Sequence, residues 1–169
     1  MEGNVVDTNV LATANGKNPE AGLHCQGQCV DLLLSFTQDR RLILLDEGYL
    51  ILSEYSRYAS SSGQPGVGDA FLKWLHEHQA NPECVRWLSI TPNDNRQSWR
   101  KFEEIPEKKG LKGFDRSDQK FLAVALVFSM QRGCSSVIHN ATDSDWKNFQ
   151  EPIEKLGIRL HQLCPEALR

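Results

Sequence analysis

The feature that most constrains the fold is the alternation of short apolar runs with longer amphipathic segments. Five runs have the length and composition of strands, at residues 4–7, 42–45, 85–90, 136–139 and 158–163. Helical spacing of apolar positions predicts five helices between them, at about 20–40, 47–59, 67–79, 117–131 and 145–156. Strands that alternate with helices are joined by right-handed crossovers and form a parallel sheet. The sequence therefore predicts an α/β fold, a three-layer α/β/α sandwich with a mostly parallel central sheet.

Size and charge narrow the class of protein. The chain has 169 residues, which favours a single domain over residues 1–169. Its net charge of −3 argues against a polycation that coats nucleic acid. The longest apolar run, at 121–128, is far shorter than the roughly 20 residues that span a bilayer. Because Met1 is followed almost at once by a predicted core strand, we expect no signal peptide and a cytoplasmic location.

The cysteine pattern favours reduced thiols. The chain contains an odd number of widely spaced cysteines, Cys25, Cys29, Cys84, Cys134 and Cys164. Such a pattern is typical of free thiols in the cytoplasm. A zinc site built from Cys25, Cys29 and neighbouring His24 is the alternative, but no second Cys/His pair completes a tetrahedral set.

Several acidic residues are predicted to meet at one edge of the sheet. Asp7 ends the first strand, Asp143 follows the strand at 136–139, and Asp118 opens the helix at 117–131. Ligands of parallel sheets bind beyond the carboxyl ends of the strands, so these carboxylates have the opportunity to converge. For Asp115, Asp118, Asp143 and Asp145, capping of helix N-termini is the competing interpretation.

Glu54 stands out among the glutamates because of its place on a helix. It lies within the apolar stripe of the helix at 47–59, on the side that faces the core. A glutamate there needs a partner. Arg57 is a candidate for that role. Asp46 and Glu47 are instead interpreted as acids of the first helical turn.

Converging carboxylates repel one another unless they are protonated or bound to a cation. Oxygen ligands suit hard divalent ions such as Mg²⁺ or Mn²⁺. An ion of this kind activates water and stabilises the oxyanions of a phosphodiester displacement. The pattern therefore favours metal-assisted hydrolysis.

Four segments carry a resemblance to a known family. They are the strand that runs into Asp-Thr-Asn (Val5–Leu11), the glutamate helix (Leu52–Tyr55), the aspartate-led, alanine-containing helix (Asp118–Leu126) and Thr-Asp-Ser-Asp-Trp (Thr142–Trp146). In this order, over nearly the whole chain, they resemble the motifs of the PIN-domain nucleases. The region at about 60–113 is enlarged relative to the compact, VapC-like toxin members.

The resemblance implies Mg²⁺- or Mn²⁺-dependent cleavage of RNA by an α/β/α sandwich. The acidic, metal-binding quartet that it implies is Asp7, Glu54, Asp118 and Asp143. Asp7 and Asp118 would be direct ligands, while Asp143 and Glu54 complete the cage or hold metal-bound waters.

Other residues enter by the same resemblance in supporting roles. Asp145 is an auxiliary acid, and Thr8, Asn9 and Thr142 would orient carboxylates or bind phosphate. Asp115 is a rival for the third acid of the quartet, although Asp118 fits the spacing to the alanine-containing helix better.

A basic segment precedes the third acid. Residues 96–120 contain eight basic and five acidic side chains, so 8 − 5 gives a local charge of +3. Basic side chains neutralise phosphates and aromatic ones stack on unpaired bases. The candidates for RNA contact are Arg100, Lys112, Arg116 and Lys120, interleaved with Trp99, Phe102 and Phe114. The alternative is a solvated segment of mixed charge whose aromatic residues pack inward.

The resulting hypothesis is an endoribonuclease, either the toxin of a toxin–antitoxin pair or a nuclease effector of defence or RNA processing. The resemblance implies an antitoxin or other regulatory protein as a partner and a homodimer by analogy. A non-catalytic PIN-like module that binds RNA or protein is the alternative. A haloacid-dehalogenase phosphatase is disfavoured because it needs an aspartate where this chain has Asn9.

Overall fold

A five-stranded, all-parallel sheet in the order β3-β2-β1-β4-β5 organises the chain. In the computed structural model, which describes residues 1–168, the strands are β1 (Glu2–Val6), β2 (Ile43–Asp46), β3 (Val85–Leu88), β4 (Ser135–Asn140) and β5 (Ile158–Gln162). β1 occupies the centre and pairs with β4 over its whole length, from Glu2 opposite Ser135 to Val6 opposite His139. The chain therefore leaves β1 and β4, the two strands that precede Asp7 and Asp143, side by side.

Helices cover both faces of this sheet. They are α1 (Thr8–Ala14), α2 (Gly22–Asp39), α3 (Leu50–Tyr58), α4 (Val67–His78), α5 (Gln119–Ser129), α6 (Ser144–Asn148) and α7 (Gln150–Glu154). α5 packs against all five strands on one face, while α1, α2 and α4 pack together on the other. The predicted α/β sandwich with a parallel sheet is confirmed.

The central position of α5 follows from its sequence and from one glycine. The segment Phe121–Phe128 is apolar on every side and almost entirely buried. A Cβ at Gly3 of β1 would lie within 2.8 Å of side-chain atoms of Leu44 and Phe128. The strand can approach α5 this closely only because residue 3 lacks a side chain.

Three helix predictions differ from the structure. The short helix α1, which directly follows Asp7, was not predicted. The helix expected from 47 begins at Leu50, because Asp46 ends β2 and accepts hydrogen bonds from the backbone N–H groups of Leu50 and Ile51, both at 2.8 Å. The placement of Asp46 in the first helical turn was therefore wrong, because it lies in β2, although its buried carboxylate does cap the start of that helix. The helix expected at 145–156 is divided at Phe149 into α6 and α7.

The enlarged region at 60–113 contains α4, β3 and a long irregular segment with one short 3₁₀ turn at Lys109–Leu111. Phe102 and Ile105 are buried in this segment, and Phe114 is buried directly after it. The Phe114 ring packs edge-on against Trp146, with the ring centres 4.9 Å apart. Phe102 and Phe114 therefore pack inward, as the alternative interpretation of the basic segment expects.

The prediction that all five cysteines are reduced was wrong. Cys25 of α2 and Cys164 near the C-terminus form a disulfide, with their Cα atoms 5.3 Å apart. Cys29, Cys84 and Cys134 are free thiols. The cysteine spacing gave no indication of this disulfide, because its two residues are 139 positions apart and only folding brings them together. Within residues 1–168, no helix combines the length and apolar character needed to cross a membrane.

Candidate functional site

Asp7 is the most deeply held carboxylate of the candidate site. It lies directly after β1, caps the N-terminus of α1 and is only 4% exposed. Oδ1 accepts a 2.9 Å hydrogen bond from the backbone N–H of Asn9, and Oδ2 accepts a 2.6 Å hydrogen bond from the indole N–H of Trp146. These two donors fix the orientation of the carboxylate.

Asp118 is slightly less buried and has no comparable partner. It lies at the N-terminus of α5, is 7% exposed, and makes no side-chain capping hydrogen bond to that helix. Its oxygens are not among the fully buried, unpaired side-chain atoms of the described residues, so solvent in the cleft, a proton or a cation can satisfy them. This side chain lines the same cleft as Asp7.

Asp143 completes a group of three. It follows β4 by three residues and caps α6 by accepting a 2.8 Å hydrogen bond from the backbone N–H of Asp145. Asn140 holds its backbone from both sides: the Asn140 amide donates to the Asp143 carbonyl at 2.8 Å, and the Asp143 N–H donates to the Asn140 amide oxygen at 3.1 Å. The position of Asp143 is therefore set by the last residue of β4.

One oxygen from each of Asp7, Asp118 and Asp143 can be chosen so that all three lie within 4.8 Å of one another. A divalent ion with oxygen ligands at about 2.0–2.6 Å fits such a group. Asp118 also belongs to a second group, with Asp115 and Asp145. Asp115 is exposed and accepts hydrogen bonds from both the backbone and the hydroxyl of Ser117, so it is the less suited of the two rivals for the third acid.

Glu54, the fourth predicted acid, is engaged elsewhere. Its Oε2 lies 2.5 Å from the ammonium of Lys120, and its Oε1 accepts a 2.6 Å hydrogen bond from the hydroxyl of Thr8. Arg57, the predicted partner, is exposed. Glu54 lines the cleft but is not part of the three-carboxylate group.

The local environment raises the pKa values of the two buried aspartates. Burial raises the pKa of Asp7 to about 6, with smaller contributions from the charges of Asp143 and Glu54 and opposition from its two hydrogen bonds. Burial together with the charges of Asp7, Asp143 and Asp115 raises the pKa of Asp118 to about 8, and Lys120 opposes this shift. Such shifts arise where like charges lie close together in a poorly solvated place. A bound dication would reverse them.

The predicted auxiliary residues support the acids. The Asn9 side chain donates to the Asn140 amide oxygen at 2.8 Å and accepts from the backbone N–H of Ala141 at 2.9 Å, so it anchors the loop that carries Asp143. The Thr142 hydroxyl accepts a 3.2 Å hydrogen bond from Asn18. Burial and the charge of Asp143 raise the pKa of Asp145.

Sequence reasoning missed three contributors to the site: Trp146 as a donor to Asp7, Asn140, and Lys120 as the partner of Glu54. Asn140 ends β4, and a polar residue at the end of a buried strand is a signal that could have pointed to it. For the Lys120–Glu54 pair the sequence offers no signal, since the two residues lie on different helices.

A cleft of about 440 Å³ opens onto the acidic group. Besides the acids, its walls include Thr8, Asn9, Lys17 and Asn18. A larger polar hollow of about 840 Å³ adjoins it and shares Asn18 and Thr142.

The four predicted RNA contacts differ in how exposed their side chains are. Lys112 and Arg116 are exposed, and Arg116 donates to the Ser98 carbonyl at 2.5 Å. Arg100 is half-buried and donates to the Ile105 carbonyl at 2.9 Å. Lys120 is 5% exposed and also donates to the Ser117 carbonyl, so it is not the surface phosphate contact that the sequence suggested.

No family model, curated protein or solved structure matches the chain. The geometry of the acidic cleft is therefore the basis for assigning a function.

Proposed function

We propose that this protein is a Mg²⁺- or Mn²⁺-dependent endoribonuclease of the PIN type. The observation that supports the proposal is the meeting of Asp7, Asp118 and Asp143, which come from three distant parts of the chain, with one oxygen of each within 4.8 Å of the others. Two of these carboxylates are almost fully buried, and their pKa values are raised. Bringing these acids together on folding has an unfavourable free energy, and a bound cation offsets it.

The residues of the chain have separable roles in this proposal. Asp7, Asp118 and Asp143 would hold the ion, and the ion would supply an activated water and stabilise the charge that develops on the phosphate. Trp146 and Asn9 fix Asp7, while Asn140 fixes Asp143. Lys112 and Arg116 are exposed cations in the segment leading to Asp118, where they could neutralise phosphates of the bound strand.

The order of the four motifs supports the PIN assignment, and with it RNA as the substrate. A role as a toxin or defence effector, controlled by an antitoxin or another regulatory protein, is the biological setting that we propose for this activity. Homodimerisation is proposed by analogy with the family.

Cleavage of RNA by purified protein tests the proposal. We expect Mn²⁺-dependent cleavage by the wild-type protein, with the rate reduced by at least about 100-fold in Asp7→Asn and in Asp118→Asn. Asp31→Asn is the matched control, because Asp31 is an exposed aspartate of α2. Cleavage at the wild-type rate in either site variant, with the fold retained, would overturn the proposal.

Thermal unfolding separates the enzyme from a non-catalytic module. A protein that binds Mn²⁺ in its folded state gains stability in proportion to the logarithm of ion concentration. We expect this gain in the wild-type protein and its loss in Asp118→Asn. A non-catalytic PIN-like module would show neither cleavage nor the gain.

A further inference from the structure

Lys120 is a buried cation placed next to the acidic group. It lies in the first turn of α5, two residues after Asp118, and its side chain is 6% exposed. Lysine is almost never buried to this degree unless it is paired. Its ammonium lies 2.5 Å from Oε2 of Glu54 and also donates to the Ser117 carbonyl. The position of the positive charge is therefore set by two elements, α3 and the start of α5.

Glu54 differs from the three aspartates because one of its oxygens pairs with a cation, whereas the donors to Asp7 and Asp143 are neutral N–H groups. Both oxygens have a partner, one in Lys120 and the other in the Thr8 hydroxyl at 2.6 Å. The Asp118 carboxylate, although more buried, has no such donor. An oxygen of Asp118 groups with one from Asp7 and one from Asp143, whereas Glu54 joins no such group. The structure thus separates the acid that is already neutralised from the three that are not.

Counting charges indicates how many ions the cleft can accommodate. The four acids carry −4 when ionised, and Lys17 in the cleft wall and Lys120 contribute +2. A single dication then brings the site to balance. A second dication near Glu54 would have to displace Lys120 or lie against its ammonium, and like charges at that distance in a poorly solvated site repel strongly.

We propose that Lys120 is a positioning residue that withdraws Glu54 from the metal and restricts the site to one divalent ion, held by Asp7, Asp118 and Asp143. The inference rests on the proposed metal-dependent function and deepens it. Lys120 supplies, as a fixed part of the fold, the positive charge that a second ion supplies in two-ion sites. Glu54 in turn orients Lys120 and Thr8 at the wall of the cleft.

Counting the Mn²⁺ ions bound by the full chain tests this inference without any measurement of activity. Calorimetric titration and electron paramagnetic resonance of free Mn²⁺ should both give one ion for the wild-type protein. In Glu54→Gln we expect one ion with Kd raised by about tenfold, the lower end of the range for a residue outside the ligand set. In Asp118→Asn, which removes a ligand, Kd should rise by at least about 100-fold. Equal losses in the two variants would overturn the inference.

Replacing the cation gives the complementary test. Lys120→Met keeps an unbranched side chain up to Cε but removes the ammonium and so frees Glu54. We therefore expect Mn²⁺ to bind about tenfold more tightly or in two copies. The double variant Lys120→Met/Glu54→Gln removes the pair as a neutral unit, and its ion count should return to one. It also remains testable if the single lysine variant fails to fold. Unchanged affinity and ion count in a folded Lys120→Met would contradict the inference.

The two proposals fail in distinguishable ways. A wild-type protein that binds no Mn²⁺ would overturn the metal-dependent nuclease and this inference with it. A wild-type protein that cleaves RNA and binds two ions would overturn only the role of Lys120.

Discussion

The indole N–H of Trp146 donates a 2.6 Å hydrogen bond to Oδ2 of Asp7, across 139 residues of sequence. Both side chains are buried, and the Trp146 ring packs against Phe114. The interaction connects the end of β1 to α6, the helix that Asp143 caps. It therefore fixes one aspartate in relation to the element that carries another.

Trp146→Phe should weaken both the fold and the proposed ion site. The variant keeps an aromatic ring in the core but leaves the buried Asp7 oxygen without its donor, which costs about 1–3 kcal/mol of unfolding free energy. The pKa of Asp7 should rise further, because the indole hydrogen bond lowers it in the wild-type protein. We expect the Kd for Mn²⁺ to increase by about 10- to 100-fold.

Urea unfolding and Mn²⁺ titration measure these two effects. Trp74→Phe is the matched control, because Trp74 lies on α4 and stacks on His78 rather than on a carboxylate. Unchanged Mn²⁺ affinity in Trp146→Phe would show that the indole has no part in orienting Asp7.

Asp118→Asn should stabilise the metal-free protein at alkaline pH. Asp118 has a pKa of about 8 in the folded protein, far above the ordinary value of about 3.9 in the unfolded chain. Between these two values the folded state binds more protons than the unfolded state, so metal-free stability falls as pH rises towards 8. The limiting slope is about 1.4 kcal/mol per pH unit for each such group.

We expect the variant to be more stable than the wild-type protein by about 1–3 kcal/mol at pH 8 in a chelator, and the difference to shrink at pH 5. At pH 8, saturating Mn²⁺ should make the wild-type protein more stable than the variant, because only the wild-type site binds the ion tightly. Melting curves at the two pH values, with and without Mn²⁺, provide the measurement. A variant less stable than the wild-type protein in chelator at pH 8 would contradict the prediction.

His139 should make the protein sensitive to acid. It lies in β4, with one ring nitrogen 2.9 Å from the Asn4 amide oxygen and the other 2.9 Å from a ring nitrogen of His161. Burial lowers the pKa of His139 to about 3, with additional contributions from His161, Arg41 and Arg159. Below about pH 6.5 this histidine binds a proton in the unfolded chain but not in the folded protein. Its contribution to the free energy of unfolding therefore falls as pH decreases from 6.5 towards 3.

Urea unfolding at pH 7 and pH 5 should show this loss as a change in the stability difference between the wild-type protein and His139→Phe, at a limiting slope of about 1.4 kcal/mol per pH unit. The opposing proton uptake of Asp7 and Asp118 is common to both proteins and cancels in the difference. We expect His139→Phe to be less stable at pH 7 but to lose less stability at pH 5. His24→Gln, a change at an exposed histidine of α2, should retain the wild-type slope. Identical slopes in His139→Phe and the wild-type protein would refute the assignment to His139.

The Cys25–Cys164 disulfide should contribute measurably to stability. It connects α2 to the C-terminal segment and closes a loop with a sequence separation of 139 residues. Closing a loop of this length restricts the unfolded chain, and we expect reduction to lower the unfolding free energy by about 2–5 kcal/mol. The double variant Cys25→Ser/Cys164→Ser should show a similar loss and no further response to reductant.

Alkylation of the denatured, unreduced protein gives an independent check of the pairing. The three free cysteines, Cys29, Cys84 and Cys134, should react, and peptide mapping should recover Cys25 and Cys164 as one linked pair. Five alkylated cysteines under non-reducing conditions would contradict the pairing.

Local patterning alone was sufficient to predict the sheet and two of its acids. The alternation of apolar runs with helical segments can be recognised without knowing which residues come into contact, because each strand and helix has its own apolar face. Parallel strands then place their carboxyl ends at one edge, so Asp7 and Asp143 could be expected together. The cap that Asp46 provides to α3 lay beyond this reasoning, because it depends on where β2 ends and the helix turns.

Pairings between distant residues were decided only by the tertiary structure. Trp146 reaches Asp7, Lys120 neutralises Glu54, and Cys25 joins Cys164 because packing α5, α6 and the C-terminal segment onto the sheet brings these side chains within bonding distance. No local periodicity encodes such contacts. Burial is likewise a property of the folded chain. It raises the pKa of Asp118, and it turned Lys120 from a predicted surface contact into an internal partner.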